Sequence, residues 1–242
     1  MLQRMVDEPD TIQIGGASGL NPHVGEAWVR AMRRHFAGGR LEAQEIDGVL
    51  AADLAGALWP AGLIAACRGG MPAPGALVRV VVGVDPPASA GGVCGIVVCG
   101  IDEAGIGHVL ADRSAGGLSP EGWARSVVAT TEAYGPDRVV VETNQGGEMV
   151  GAVLRSVDVR LPIRAVTATR GKIARAEPVA ALFETGQVRL CGVFAELETE
   201  LAGMVVGGYE GPGRSPDRAD AMVWALWALM LERGGPPRVR ET

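Results

Sequence analysis

The chain has 242 residues, of which 48% are hydrophobic and 21% charged, and this balance is typical of a globular protein rather than of a disordered one. The net charge of −6 argues against an unselective binder of polyanions. No apolar run approaches the roughly 20 residues of a membrane-spanning helix, and the N-terminus lacks the apolar block of a secretory signal peptide. We therefore expect a cytoplasmic protein that does not bind membranes.

Residues 1–70 are predicted to form a small helical connector. Asn21-Pro22 suits a helix start, because Asn caps the first turn and Pro is tolerated at the first helical position. A second helix is predicted over residues 40–54, and a short third helix after Trp59-Pro60. The stretch 68–76 is rich in Gly and Pro, so it is interpreted as a linker to a second domain.

Residues 77–235 are predicted to form one α/β domain, because strand and helix patterns follow one another along this part of the chain. The main strands are predicted over residues 77–84, 93–101, 107–114, 137–143 and 163–169. Helices are predicted over residues 119–134, 146–157, 172–186, 194–204 and 215–235, and a further short strand over residues 187–190. Three consecutive strands followed by this alternation predict a mixed five-stranded sheet with helices on both faces.

Three acidic residues stand where predicted elements end or begin. Asp85 follows the first strand, Glu142 ends the fourth, and Asp217 opens the last helix. Sites in open α/β sheets form beyond the carboxyl ends of the strands, so a parallel pairing of the first and fourth strands would place Asp85 beside Glu142. The start of the last helix at the same edge would add Asp217. The joint placement therefore predicts one acidic cluster.

Each of these acids also has a simpler explanation. Asp85 precedes two prolines and suits a turn. Glu142 suits a loop or a pair with an arginine, and Asp217 is favoured at a helix N-terminus by the helix dipole. Asp220, one turn further along the helix, suits either a fourth ligand or a surface acid. The residues alone leave these alternatives open.

A cluster of three carboxylates needs a positive charge, because the carboxylates repel one another. Hard oxygen ligands on a rigid frame suit Mg²⁺ or Mn²⁺. Two such ions about 4 Å apart can clamp both the attacking and the leaving oxygen of a phosphodiester. The cluster therefore predicts a two-metal site with Asp85, Glu142, Asp217 and Asp220 as candidate ligands.

Longer motifs surround the acids and point to a family. These are "VVVGVDPPASAGG", "VVVETNQGGEMV" and "SPDRADAMVWAL", and within them E-x-N-x-x-G at Glu142, Asn144 and Gly147 and P-D-x-x-D-A at Asp217 and Asp220. Over nearly all of residues 77–230 the chain resembles the ribonuclease H-like nucleases, and among them the C-terminal nuclease domain of the phage large terminase subunit. The branch that it resembles is that of gene transfer agents and related prophages.

The resemblance implies an activity, a substrate and partners. Asp85, Glu142 and Asp217 would be the catalytic, metal-binding acids, and Asp220 matches an acid that is frequent in this branch. The function implied is a metal-dependent endonuclease that cuts double-stranded DNA during packaging with little sequence preference, with the portal protein and the small terminase subunit as partners. The chain lacks the G-x-x-x-x-G-K-[ST] loop of the family's ATPase motor, so we expect no ATP binding.

A basic stretch surrounds the fifth predicted strand and offers contacts to DNA. In this stretch Arg170, Lys172 and Arg175, with Asn144 nearby, are the candidate DNA-binding residues. The segment "TATRGK" leads into a helix, whose N-terminus favours phosphate. The alternative is a merely solvated basic face. Trp224 and Trp227 lie among apolar residues of the last helix and are interpreted as core.

Two other classes of function compete with the nuclease interpretation. One is a catalytically silent docking or assembly module on the same fold, which the absence of any one acid would favour. The other is an ATPase of the sugar-kinase or actin type, which also has an early strand ending in Asp. That fold needs a second, duplicated sheet, and about 165 residues leave room for one domain only.

Overall fold

A computed structural model describes residues 17–35, 53–87, 89, 91–144 and 147–232. The first described helix, α1, spans Glu26–His35 and follows a short 3₁₀ turn at Ser18–Leu20. It begins later than expected, because the Asn21 side chain accepts a hydrogen bond from the amide of His23 at 3.0 Å and so caps a turn instead of the helix. The helix predicted over residues 40–54 lies almost entirely outside the described residues.

The segment before the sheet packs onto the domain that follows it. The short helix α2, Ala61–Ala66, forms after Pro60 as predicted. Trp59, Ile64 and Cys67 are buried in the same apolar core as the last helices, and the ring of Trp59 meets Phe183 edge to face at 5.8 Å. The stretch interpreted as a connector thus contributes to the core, and the domain boundary near residue 70 stays a prediction.

The main sheet is mixed, as predicted, with seven strands in the described part of the chain instead of five. Its strands are β1 Leu77–Asp85, β2 Val93–Asp102, β3 Gly107–Asp112, β4 Ala115–Gly116, β5 Arg138–Glu142, β6 Ile163–Val166 and β7 Val188–Leu190. Their order is β6-β5-β1-β2-β3-β7, with β4 paired to β2. The two additions are the expected short strand at the sheet edge, β7, and the two-residue β4, which is too short for a sequence pattern to reveal.

The strands at the centre of the sheet pair antiparallel, and the strands on either side of them pair parallel. Neighbours β1, β2 and β3 pair antiparallel, as the hairpin-like connections require. The pairs β1–β5, β5–β6 and β3–β7 are parallel, and the connection from β5 to β6 contains a single described helix. A separate small hairpin consists of β8, Met204–Val205, and β9, Gly208–Tyr209.

Helices cover both faces of the sheet. They are α3 Pro120–Tyr134, α4 Glu148–Val157, α5 Lys172–Glu184, α6 Ala195–Gly203 and α7 Asp217–Leu226, the last followed by a π-helical turn at Trp227–Leu231. Helices α3 and α4 pack against the face that holds Val82 and Val84, whereas α5, α6 and α7 pack against the face that holds Val81. Adjacent valines of one strand point to opposite faces, so both faces are apolar. No helix in the described ranges is long and apolar enough to span a bilayer.

Residues close in sequence cap both ends of α3. The hydroxyl of Ser119 accepts a hydrogen bond from the amide of Gly122 at 3.1 Å, and Pro120 takes the first helical position. Gly135 ends the helix in the left-handed conformation, with φ of 52°. The predicted last helix, by contrast, ends its regular α-helical part at Leu226 rather than at residue 235.

Candidate functional site

Asp85 and Glu142 are brought together by the parallel pairing of β1 and β5. The register places Val84 opposite Val141, and Asp85 and Glu142 are the last residues of their strands. Since the carboxyl ends of neighbouring parallel strands meet at one edge, the two acids lie side by side there. The parallel pairing on which the expected cluster depends is therefore present.

Helix α7 brings two more acids to this edge. Asp217 is its first residue and Asp220 follows one turn later. The helix lies directly on β1 and β2 because Gly83 and Gly95 present no side chain: a Cβ at Gly83 would lie 1.9 Å from the carbonyl oxygen of Ala221. The close approach of the helix to the sheet fixes where the acids of its first turn stand.

Three of the four acids line one cleft of about 980 Å³. Asp85, Glu142 and Asp217 are among its lining residues, together with Asn144, Arg170, Lys172, Arg175, Glu200 and Ser215. Asp220 does not line this cleft and is fully buried, with 0% of its surface exposed. The structure thus gathers the predicted residues in one place but gives Asp220 a different environment from the other three.

The carboxylates at the cleft repel one another. Burial raises the pKa of Asp85 well above its usual range, and the charges of Asp220, Glu142 and Asp217 raise it further, with Lys172 opposing them. Burial also raises the pKa of Asp217, although the hydrogen bond from the Ser215 hydroxyl and the charge of Lys172 lower it in part. None of the described residues donates a hydrogen bond to the Asp85 carboxylate. The site therefore favours any added positive charge.

Glu142 is held by three side chains from three different elements. Asn144 donates its amide hydrogen to Oε1 at 2.6 Å, and the indole Nε1 of Trp224 donates to Oε2 at 2.5 Å. Arg175 Nη2 lies 3.5 Å from Oε2. Asn144 is itself fixed, since its Oδ1 accepts the amide of Ala168 at 2.8 Å. The Glu142 carboxylate consequently has a defined orientation in the cleft.

Asp220 forms ion pairs with two cationic side chains. Its Oδ2 forms a short contact with the ammonium of Lys172, and its Oδ1 lies 3.4 Å from Nη2 of Arg175. Burial alone would lower the pKa of Lys172, but the carboxylates of Asp220 and Asp85 outweigh it and raise that pKa. Lys172 also donates to Ser215 Oγ at 2.7 Å, so it links the first turn of α5 to the loop before α7.

The expected DNA-binding residues separate into two groups. Arg170 is exposed at the cleft and pairs with no carboxylate among the described residues, and the Lys172 side chain is 42% exposed. Arg175 lines the cleft, but its side chain is only 5% exposed and lies against Glu142 and Asp220, so its contact with a DNA phosphate stays a prediction. Asn144 is exposed at the cleft, and its amide is already bonded to Glu142.

The donor set fits a hard divalent cation by its chemistry. Carboxylate oxygens on a sheet edge and a helix start are the ligands that Mg²⁺ and Mn²⁺ prefer. The mutual repulsion around Asp85 indicates that a cation would be stabilised there. In the described part of the chain, however, no three His, Cys, Asp or Glu side chains already stand in an arrangement that could hold a metal ion. Side-chain adjustment is therefore part of any metal binding here.

A family model for the terminase RNaseH-like domain matches residues 82–229, which is more than half of the chain. The chain belongs to the terminase RNaseH-like domain family. The matched range begins inside β1 and ends in the π-helical turn after α7, so it contains all four acids of the cluster. No curated protein sequence matches this terminase domain.

Solved structures of terminase nucleases share the fold of this terminase RNaseH-like domain. The large terminase nuclease from thermophilic phage G20c with bound magnesium superposes with a TM-score of 0.54 at 17% identity, covering 71% of this chain and 97% of that one. Large terminase from another thermophilic bacteriophage gives 0.55 at 12% identity, covering 88% of this chain and 54% of that one. The manganese-soaked, inhibitor-bound human cytomegalovirus terminase nuclease domain gives 0.50 at 13% identity, covering 71% and 95%. These likenesses establish the ribonuclease H-like fold.

The contacts by which Trp224 and Glu200 support the cleft of this terminase domain were not predicted from the sequence. Trp224 follows Asp217 and Asp220 at helical spacing, so all three lie on one face of α7, and that spacing was a usable signal. Glu200 of α6 accepts the amides of Arg218 at 2.8 Å and Ala219 at 3.0 Å, and so caps α7 from a distance. Burial raises the pKa of Glu200 to about 8 despite these hydrogen bonds. Nothing in the local sequence marks Glu200 as a cap.

Proposed function

We propose that this chain is a metal-dependent endonuclease that hydrolyses phosphodiester bonds of double-stranded DNA in a viral or gene-transfer-agent packaging system. The observation that carries the proposal is the convergence of Asp85, Glu142 and Asp217 on one cleft from distant parts of the chain. Membership of the terminase RNaseH-like family supports it, as do metal-bound nuclease domains of the same fold. The portal protein and the small terminase subunit are proposed partners on family resemblance alone.

Asp85, Glu142 and Asp217 are the residues that would hold two Mg²⁺ or Mn²⁺ ions, with Asp85 between the other two acids. The bound ions would supply the charge that activates a water molecule and stabilises the departing 3′ oxygen. The protein's own contribution is to orient the acids: Asn144 and Trp224 fix Glu142, and Glu200 fixes the start of α7 that carries Asp217. Asp220 is proposed as the internal counter-ion of Lys172 and Arg175 rather than as a principal ligand.

DNA phosphates are proposed to meet the cleft at Arg170 and Lys172, which flank the N-terminus of α5. Cationic side chains and the amides of a helix N-terminus both favour phosphate oxygens. Contacts to the backbone carry no base information, so cutting is expected to show little sequence preference. Asn144 lies at the cleft surface and remains a candidate contact beside its bond to Glu142.

A catalytically silent packaging-assembly module is the second candidate. The observation in its favour is that Lys172 and Arg175 already neutralise part of the acidic cluster, and that no three of the described acids already stand in an arrangement that could hold a metal ion. The two candidates differ in a single property, which is metal-dependent cleavage of DNA.

A plasmid-nicking assay separates the two candidates. Wild-type protein with Mn²⁺ or Mg²⁺ should convert supercoiled plasmid to nicked and linear forms, and EDTA should stop the reaction. Asp85→Asn should abolish cleavage. Asp102→Asn is the matched control. Asp102 is the last residue of β2 and lies beside Leu77, the first residue of β1, so it stands at the far end of β1 from Asp85. Wild-type protein that never cuts, or Asp85→Asn that cuts as wild type does, would support the assembly module instead.

A further inference from the structure

The indole of Trp224 makes the shortest side-chain contact to Glu142 in the described structure. Its Nε1 donates to Oε2 of Glu142 at 2.5 Å, compared with 2.6 Å for Asn144 and 3.5 Å for Arg175. Trp224 is 6% exposed, and Glu142, which it contacts, is 8% exposed. A buried hydrogen bond between an N–H group and a carboxylate is assisted by charge and stronger than one between neutral groups.

Burial of a tryptophan in this core does not by itself require such a partner. Trp59 is completely buried, and its indole Nε1 has no hydrogen-bond partner among the described residues. Core packing therefore explains why a large ring stands at position 224, but it does not explain why the N–H group points at an acid of the cleft. The direction of the indole is a separate feature of the site.

The hydrogen bonds to Glu142 show what the indole controls. The bonds from Asn144 and Trp224 each hold one oxygen, so together they fix the plane of the carboxylate. Arg175 stacks on the indole with its Cζ 4.6 Å from the ring centroid, and its longer contacts to Glu142 and Asp220 supply charge more than direction. Each carboxylate oxygen has two acceptor positions, so Oε1 keeps one that no described residue uses.

We propose that Trp224 is a positioning residue of the cleft, whose indole N–H anchors Oε2 of Glu142 so that Oε1 stays available to a divalent ion. This role rests on the proposed function, because a fixed orientation of Glu142 matters only if the carboxylate binds an ion. Residues that hydrogen-bond a metal ligand orient it, and their loss commonly weakens metal affinity 10- to 100-fold. Trp224 thus links the last apolar turns of α7 to the acids at its start.

The first test reads the hydrogen bond directly on the complete chain without metal. In a ¹H–¹⁵N spectrum the indole resonance lost in Trp224→Phe identifies Trp224, and Glu142→Gln should move that resonance upfield because the acceptor loses its charge. Glu148→Gln, an exposed acid of α4, is the control and should leave the resonance in place. A Trp224 resonance that is insensitive to Glu142→Gln overturns the proposal.

The second test measures Mn²⁺ affinity by titration calorimetry. Trp224→Phe keeps the ring but removes the donor, and it should weaken Mn²⁺ binding about 10-fold. Trp227→Phe, on the following turn and half-buried, should bind Mn²⁺ as wild type does. Equal affinity in Trp224→Phe and wild type overturns the positioning role alone. Wild-type protein that binds no Mn²⁺ overturns the proposed metal site and the positioning role with it.

Discussion

Gly95 of β2 lies directly beneath the first residue of α7, Asp217. A Cβ built on Gly95 would lie 1.9 Å from the carbonyl oxygen of Asp217 and 2.5 Å from its carbonyl carbon. Gly95 is also the antiparallel partner of Asp85. The same contact therefore seats the helix on the sheet and sets Asp217 close to Asp85, so packing and site geometry are determined together.

Gly95→Ala should damage both the fold and the cleft. The methyl group meets backbone rather than a flexible side chain, so α7 must shift, and overpacking of this kind costs about 1–3 kcal/mol. Urea unfolding should show this loss, and nicking activity should fall more than the remaining folded fraction explains. Gly62→Ala in α2 is the control, because nothing lies within 4 Å of a Cβ there. A Gly95→Ala protein as stable and active as Gly62→Ala would contradict the close contact.

Asp85→Asn should leave the metal-free protein at least as stable as wild type while removing cleavage. Burial and the neighbouring carboxylates disfavour the charged form of Asp85, which is why its pKa is raised. An uncharged amide of the same shape relieves that cost. Thermal unfolding in EDTA at pH 7 measures the effect, and a melting temperature clearly below that of wild type would show that the negative charge stabilises the fold.

Asp220→Asn should instead destabilise the fold: burial raises the pKa of Asp220 too, but the charges of Lys172 and Arg175 oppose that rise and themselves depend on the carboxylate. Its carboxylate is buried between Lys172 and Arg175, so neutralising it leaves the buried Arg175 and the partly exposed Lys172 without their shared counter-ion. We expect the free energy of unfolding to fall by about 2–3 kcal/mol. This is slightly less than the roughly 3–5 kcal/mol lost when a fully buried ion pair is broken, because Lys172 is partly exposed. The comparison with Asp85→Asn in the same urea series is decisive, since equal stability of the two variants would make Asp220 an ordinary member of the metal cluster.

Glu200 should make the stability of the metal-free protein depend on pH. Its pKa is raised from an ordinary value of 4.5 to about 8, first by burial, so the folded state retains a proton that the unfolded state has lost between these values. The stabilisation of the folded state by this retained proton is therefore complete below about pH 4.5, and it is lost as the pH rises to about 8. One proton gives a slope of at most about 1.4 kcal/mol per pH unit.

The measurement is the difference in unfolding free energy between wild type and Glu200→Gln across this range. As the pH rises, the unfolding free energy of wild type should fall relative to that of Glu200→Gln. Glu196→Gln is the matched control, because Glu196 lies on the same helix and faces Arg218 at 3.6 Å, but its side chain is 70% exposed. If wild type and Glu200→Gln show parallel pH profiles, the carboxyl group of Glu200 titrates near its ordinary value.

Local patterns predicted most of the elements that frame the site. Near-continuous apolar runs marked the strands, and Ser119 and Pro120 marked the start of α3, because helix caps depend on residues close in sequence. The two-residue strand β4 and the π-helical turn after Leu226 were missed, since neither carries a local signal. The burial of Arg175 had a usable signal in the sequence, because Ala176, Val179, Ala180 and Phe183 outline the buried face of α5 beside it.

The sequence by itself determined which residues carry charge at strand ends and at the start of the last helix, and it determined the family through the motifs around them. Only the tertiary structure decided how those charges are used, because pairing depends on residues that are distant in the chain. Parallel pairing of β1 with β5 set Asp85 beside Glu142, and glycines without side chains let α7 bring its acids to the same edge. Burial then separated Asp220, which is enclosed by cations, from the three acids that line the cleft.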